Sequence, residues 1–137
     1  MIGLDTNVLV RYLTQDDAQQ AAIATRLIDH DLSSRRPGFI SLVVLVEMCW
    51  VLKRLYSATE KELNDTVSDL LQARQFQVEH HEVVQAATLR MAACPVTTGF
   101  VDTLIVEINK SAGCSHTVSF DKGAVKSAGM VALVEGR

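Results

Sequence analysis

Ile2-Gly3-Leu4-Asp5-Thr6-Asn7-Val8-Leu9-Val10 begins as a short apolar run, stops at an acid, and then resumes apolar residues at helical spacing. Met1 to Leu4 reads as a buried strand, and Val8, Leu9, Tyr12 and Leu13 mark one face of the helix that follows. The same strand-to-helix unit recurs downstream. Phe39-Ile40-Ser41 is a short strand leading into a helix from Leu42 to about Tyr56, and Phe76-Gln77-Val78-Glu79 alternates apolar and polar ahead of a helix over Glu82 to Ala93. Thr117 to Phe120 is a strand that Asp121 ends, followed by one or two helical turns over Lys122 to Ser127 and a last strand at Met130 to Val134.

Further helices fill the intervals. Asp16-Asp17 supplies a cap and a first-turn acid for a helix to about Leu32, with Ala21, Ile23, Ala24, Leu27 and Ile28 inward, until Arg36-Pro37-Gly38 breaks it. Thr59 with Glu62 forms a capping box for a helix to about Gln72. Another helix runs from Thr98 or Gly99 to Ser111, closed by Ala112-Gly113. Strands that alternate with helices connect by crossovers, which build a parallel sheet covered by helices on both faces: an α/β three-layer sandwich. Ligands of such sheets bind at the carboxyl ends of the strands.

The 137 residues fit a single domain, 1–137, and the 48% hydrophobic and 21% charged composition is that of a packed globule rather than a disordered chain. The longest nearly apolar run, Leu42 to Leu52, would rise roughly 16 Å as a helix, about half of a ~30 Å hydrocarbon core, so it reads as a buried core helix and not a membrane span. The first residues carry no basic stretch before Asp5, which points to a cytoplasmic chain without a signal peptide. Cys49, Cys94 and Cys114 are scattered, with no CxxC, and read as buried free thiols rather than a disulfide framework or a zinc site. His80-His81-Glu82 lacks a second histidine one helical turn on and reads as a solvated helix start. A formal net charge of −3 excludes a protein that holds nucleic acid by bulk electrostatics. Nucleic-acid chemistry would need a local site with a bound cation, aided by modest basic patches such as Arg35-Arg36 and Lys53-Arg54.

Four acids stand out against this map. Asp5 and Asp121 each follow a strand immediately; if those strands are neighbours, their axes lie about 4.8 Å apart and the carboxylates project side by side, repelling unless a cation sits between them. Glu47 is the one charged residue in Leu42-Val43-Val44-Leu45-Val46-Glu47-Met48-Cys49-Trp50-Val51-Leu52, where an unpartnered charge on a helix apolar all round would cost several kcal/mol. Asp102 repeats the pattern in Gly99-Phe100-Val101-Asp102-Thr103-Leu104-Ile105-Val106. Taken singly, Asp5 and Asp121 read equally as turn or cap residues, Asp102 as a complement to a helix dipole, and Glu47 as the partner of a buried arginine. A single site for a hard cation, Mg²⁺ or Mn²⁺, accounts for all four together.

Leu4-Asp5-Thr6-Asn7-Val8-Leu9-Val10, Ile40-Ser41 with Glu47, Phe100-Val101-Asp102-Thr103-Leu104-Ile105, and Ser119-Phe120-Asp121-Lys122 together resemble the PIN-domain signature. In order, spacing and total length they are similar to the VapC-like toxins of bacterial toxin–antitoxin pairs. The resemblance covers essentially the whole chain. It implies a central parallel sheet of four or five strands, an acidic pocket binding Mg²⁺ or Mn²⁺, and hydrolysis of RNA to 5′-phosphate and 3′-hydroxyl ends. Residue by residue, it implies Asp5 and Asp102 as direct metal ligands and Asp121 as a second or water-mediated one. It gives Glu47 the role of holding or deprotonating the attacking water, with Asn7 and Ser41 as polar supports that orient the carboxylates. It also implies a small antitoxin partner and a homodimer, for which the Val44/Leu45/Met48 and Leu52/Leu55 rows would serve as a surface unless they are core. One departure stands out: relatives commonly carry a further acid about three residues before the Asp102 position, where this chain has Gly99, with Thr98 beside it as no more than a polar cap.

Two other functions share these features. One is a nucleic-acid- or partner-binding PIN module that does not cleave. The other is a phosphatase or phosphotransfer domain working through a strand-end Asp, although the dehalogenase-like class needs an acid two residues after its nucleophile, where this chain has Asn7.

Overall fold

Each strand is cut short by the residue that starts the next helix, and this decides the architecture. The computed structural model describes residues 1–94 and 99–134. β1 (Ile2–Gly3) gives way at Asp5 to α1 (Thr6–Thr14). α2 (Ala18–Thr25) is capped by Asp17, whose side chain accepts the Gln20 N–H at 3.0 Å. It continues as a π-helical segment, Arg26–Asp31, in which the Leu32 N–H reaches back five residues to the Leu27 carbonyl. β2 (Gly38–Ile40) ends at Ser41, which caps α3 (Leu42–Leu55) by accepting the Val44 N–H at 3.2 Å. α4 (Glu60–Gln72) opens on the Thr59/Glu62 capping box that its sequence signals. β3 (Phe76–Val78) and α5 (His81–Ala93) follow, then α6 (Phe100–Ser111), β4 (Val118–Ser119), a π-helical turn at Ala124–Ala128, and β5 (Val131–Ala132). Thr98, read as an alternative start or polar cap for α6, lies outside the described residues.

All strand pairings are parallel, as the alternating order requires, but the strands do not form one sheet of four or five. β1, β2 and β3 make a three-stranded sheet in that order, and β4 with β5 makes a separate two-stranded one. The physical reason lies on the β4 side. β1 and β4 each offer two paired residues before Asp5 or Phe120 leaves the strand, and β4 exposes Val118 instead of burying an apolar face that would draw it against a neighbour. The condition for Asp5 and Asp121 to project side by side from neighbouring strands is not met, because no ladder joins β1 to β4 among the described residues.

Two cores follow the same division. The main one gathers Leu4, Leu9, Ile28, Ile40, Leu45, Met48, Leu63, Val67, Val84 and Phe100 between the three-stranded sheet and its helices. A small second core joins Val106 of α6 to Ala124, Ala128 and Met130. α6 enters both, with Phe100 and Leu104 in the first and Val106 in the second, so it is the beam that carries the second sheet. Arg90 of α5 reinforces that junction by pairing with Glu107 at 3.4 Å and donating to the Ala128 carbonyl.

Several local expectations change. Ile23 faces solvent rather than the interior. α3 is not apolar-buried all round: Leu45, Met48, Cys49 and Leu52 are buried, while Val43, Trp50 and Leu55 are exposed. Of the three free cysteines only Cys49 is buried. No helix among the described residues is long and apolar enough to cross a membrane.

Candidate active site

The first turn of an α-helix leaves backbone N–H groups without intrahelical acceptors. α6 begins after Gly99, which has no side chain with which to cap it. The Phe100 N–H is instead accepted by Glu60 Oε2 at 2.8 Å, from the first residue of α4. The other oxygen, Glu60 Oε1, accepts from Lys53 Nζ of α3, also at 2.8 Å. Three helix ends thus meet at one carboxylate, which is only 14% exposed.

Asp102 stands in that first turn of α6, half-buried. Its pKa is raised above the ordinary aspartate value, first by burial and then by the negative charges of Asp121 and Glu60, with Lys53 opposing. Its flank is bare because position 99 is glycine; a Cβ there would lie 3.4 Å from Asp102 Oδ2.

Asp121 reaches the same region from the end of β4. Ser119 Oγ accepts the Asp121 N–H at 2.9 Å, and Asp121 Oδ1 accepts the N–H groups of Gly123 at 2.8 Å and Ala124 at 3.3 Å. That turn fixes the carboxylate through one oxygen while the residue as a whole stays exposed.

The other residues singled out from the sequence lie elsewhere. Asp5 is exposed at the N-cap of α1, where its carbonyl, not its side chain, accepts the first helical N–H groups. Glu47 is exposed on the outer stripe of α3 beside Val43, Val46 and Trp50, so the desolvation cost expected for it does not arise. Asn7 is exposed and lines a groove with Val8, Arg11 and Ile23. The Ser41 hydroxyl is engaged in capping α3. Among the described residues, no three His, Cys, Asp or Glu side chains form a group able to hold a metal. The charges of Asp121, Glu60 and Lys53 all act on Asp102, but among the described residues neither Glu60 nor Asp5 nor Glu47 completes a metal-holding set of three with Asp102 and Asp121.

In the sequence Lys53 reads only as part of a modest basic patch, and Glu60, set among polar residues, reads as a solvated acid. The one available signal was Gly99, since a helix start with no cap of its own requires an acceptor from elsewhere.

Mg²⁺ takes one or two carboxylates and keeps several waters. The Asp102–Asp121 pair matches that donor set, and a bound cation would relieve the like-charge repulsion that adds to burial in raising the Asp102 pKa.

No curated protein matches the chain. The family model of the PIN domain matches residues 2–129, a span that includes Asp5, Glu47, Asp102 and Asp121, and the chain belongs to the PIN-domain family, a nuclease-type fold whose members are generally metal-dependent.

Proposed function

We propose that this protein is a Mg²⁺- or Mn²⁺-dependent endoribonuclease, with Asp102 and Asp121 at the centre of its active site and Asp5 as a further ligand. The observation that carries this reading is that Asp102, its pKa raised first by burial, also feels the like charge of Asp121 from a separate element of a nuclease-type fold. Two acids do not gather in this way for stability, because their repulsion opposes folding. When bound, a divalent ion neutralises phosphate charge and lowers the pKa of water. The chain's own residues arrange the rest. Glu60 holds the first turn of α6, and thereby Asp102, in place. Lys53 sets a positive charge beside the acids, where an RNA phosphate would approach. Glu47 enters this reading on sequence alone, as the acceptor of the water proton, because its carboxylate stands on the outer stripe of α3.

The order and spacing of the motifs further support a type II toxin, held by a small antitoxin and acting as a homodimer in the cytoplasm. Leu45, Met48 and Leu52, part of the rows considered for the dimer surface, are consumed by the protein's own core. The outer stripe of Val43, Val46 and Trp50, of which Val43 and Trp50 are exposed, takes their place, and the apolar groove along Val8, Ile23 and Leu27 offers a second surface for the other partner.

The test is cleavage of a structured RNA, such as bulk tRNA, by wild type, Asp5→Ala and Asp102→Ala with Mg²⁺, Mn²⁺ or EDTA. Cleavage that EDTA and Asp102→Ala both abolish supports the nuclease; cleavage by folded Asp102→Ala sinks the site. A second reading, a PIN module that binds without cutting, draws on the lack of a three-acid group among the described residues. RNA bound but left intact under every metal condition would favour it.

A further inference from the structure

Asp102 and Asp121 ride on separate parts of the fold, so their spacing depends on what joins those parts. β4 and β5 pair over two residues each, and so short a two-stranded ladder has little stability of its own. The core beneath them joins Val106 to Ala124, Ala128 and Met130, and the alanines have little apolar surface to bury. Neither feature is enough to fix the Asp121 turn against α6.

Arg90 of α5 supplies a further tie. Its Nη1 lies 3.4 Å from Oε1 of Glu107, more than one helical turn beyond Asp102 on α6. Its Nη2 donates to the carbonyl of Ala128, at the far end of the π-helical turn. At the near end, the N–H groups of Gly123 and Ala124 donate to Asp121 Oδ1 at 2.8 and 3.3 Å. The Val125 N–H reaches the Asp121 carbonyl and the Met130 N–H the Ala124 carbonyl, so the segment is bonded from end to end. Gly129 closes it at φ 83°, and a Cβ there would meet Arg90 Nη2 at 2.8 Å, so the guanidinium lies hard against the chain. A guanidinium can span two acceptors with its rigid fork, whereas an ammonium is one compact charge.

We propose that Arg90 is a positioning residue of the acid site: by bridging Glu107 of α6 to the Ala128 carbonyl, it seats the turn that carries Asp121 against the helix that carries Asp102, and so sets how well both carboxylates reach one cation. This rests on the nuclease reading above, with Asp102 and Asp121 as metal ligands. Charge and position pull in opposite directions here. Deleting a positive charge near a cation site should tighten cation binding by Coulomb attraction alone. Losing the seat of Asp121 should loosen it.

The test is Mn²⁺ affinity by calorimetry for wild type, Arg90→Ala, Arg90→Lys and Glu107→Gln, each checked for folding. Lys110 lies 3.9 Å from Glu107, which therefore keeps a cationic partner when Arg90 is gone. Positioning predicts that Arg90→Ala weakens Mn²⁺ binding by about tenfold or more, against the Coulomb trend. Arg90→Lys keeps the charge without the fork and should weaken it comparably, while Glu107→Gln keeps an acceptor for Nη1 and should stay close to wild type. In EDTA, the Gly123 and Ala124 amides should exchange faster in both Arg90 variants. Cleavage by these variants should need more Mg²⁺ for its half-maximal rate and approach the wild-type rate at saturation. Mn²⁺ bound as tightly as by wild type, or more tightly, in a folded Arg90 variant overturns the proposal. So does unchanged exchange of the two amides, or failure of both Arg90 variants to fold. The nuclease reading survives each of these if wild type binds Mn²⁺ and cleaves RNA. Wild type that binds no Mn²⁺ overturns both.

Discussion

Glu60 Oε2 accepts the backbone N–H of Phe100 at 2.8 Å, so the start of α4 caps the start of α6 across forty residues of sequence. Replacing Glu60 with alanine should remove the acceptor, leave that N–H unsatisfied at a half-buried helix end, and lower stability by about 1–3 kcal/mol. Glu60→Gln keeps an acceptor oxygen and should lose less. Urea unfolding of the three proteins checks the order; equal stability of the alanine and glutamine variants would mean that the cap carries no weight.

Asp102→Asn should stabilise the metal-free protein. A raised pKa means that the folded state holds the Asp102 proton more tightly than the unfolded chain does. Ionisation therefore costs stability, increasingly as pH climbs through the ordinary aspartate value near ~3.9 and fully above the folded value. The variant should melt higher than wild type at neutral pH, and the gap should close in acid. Added Mg²⁺ should raise the wild-type Tm more than that of the variant, and a larger gain for the variant would remove Asp102 from the ligand set.

Asp16 behaves in the opposite sense. A hydrogen bond from the Tyr56 hydroxyl, first, and then one from Thr14 and the Arg11 charge hold its carboxyl below the usual range. Its contribution is present above the unfolded pKa and is lost as pH falls through the folded one. Tyr56→Phe should move the Asp16 titration upward by NMR and flatten the acid limb of the stability profile. An unmoved Asp16 resonance in that variant would refute the link.

Gly38→Ala should destabilise the central strand. A Cβ at that position would lie 2.7 Å from Leu4 Cδ1 and 2.8 Å from Leu32 Cδ1, both in buried side chains. Overpacking of this kind costs about 1–3 kcal/mol. A Tm within error of wild type would show that both leucines turn aside freely.

Thiol labelling should be sharply graded. Cys114 is exposed, whereas burial, aided by the charge of Glu60, pushes the Cys49 thiol up to about 12. The thiolate is the reactive form, so native protein should label at Cys114 and acquire label at Cys49 only on unfolding. Rapid native labelling of Cys49 would mean that α3 opens.

The parts of the fold written in local chemistry were legible in the sequence. Asp17 and the Thr59/Glu62 pair cap the helices they were expected to cap, because a cap joins residues only a few positions apart, whereas Ser41, read as the end of a strand, caps α3. The strand-to-helix alternation gave the parallel pairing for the same reason. What depended on distant contacts was not legible. Nothing within Thr117–Phe120 says that β4 pairs with β5 alone, and nothing around Glu60 names Phe100. Glu47 misled because an apolar run was taken to mean burial on every side, whereas Val43 and Trp50 share its exposed stripe. Of the acids singled out, Asp121 lies near enough for its charge to act on Asp102; Asp5 and Glu47 sit at a strand end and on an outer helix face.

The break between the two sheets has a consequence for how the protein responds to what it binds. Hydrogen-bonded strands are held at a fixed spacing, like rails on sleepers, and among the described residues β1 and β4 have no such sleepers between them. The gap between the Asp5 end of one sheet and the Asp121 end of the other is kept by side-chain packing along α6 and by the Arg90 brace on α5. Whatever spans that gap would act as a tie-bar as well as a ligand, and its occupancy should be readable as slower amide exchange in β4 and β5.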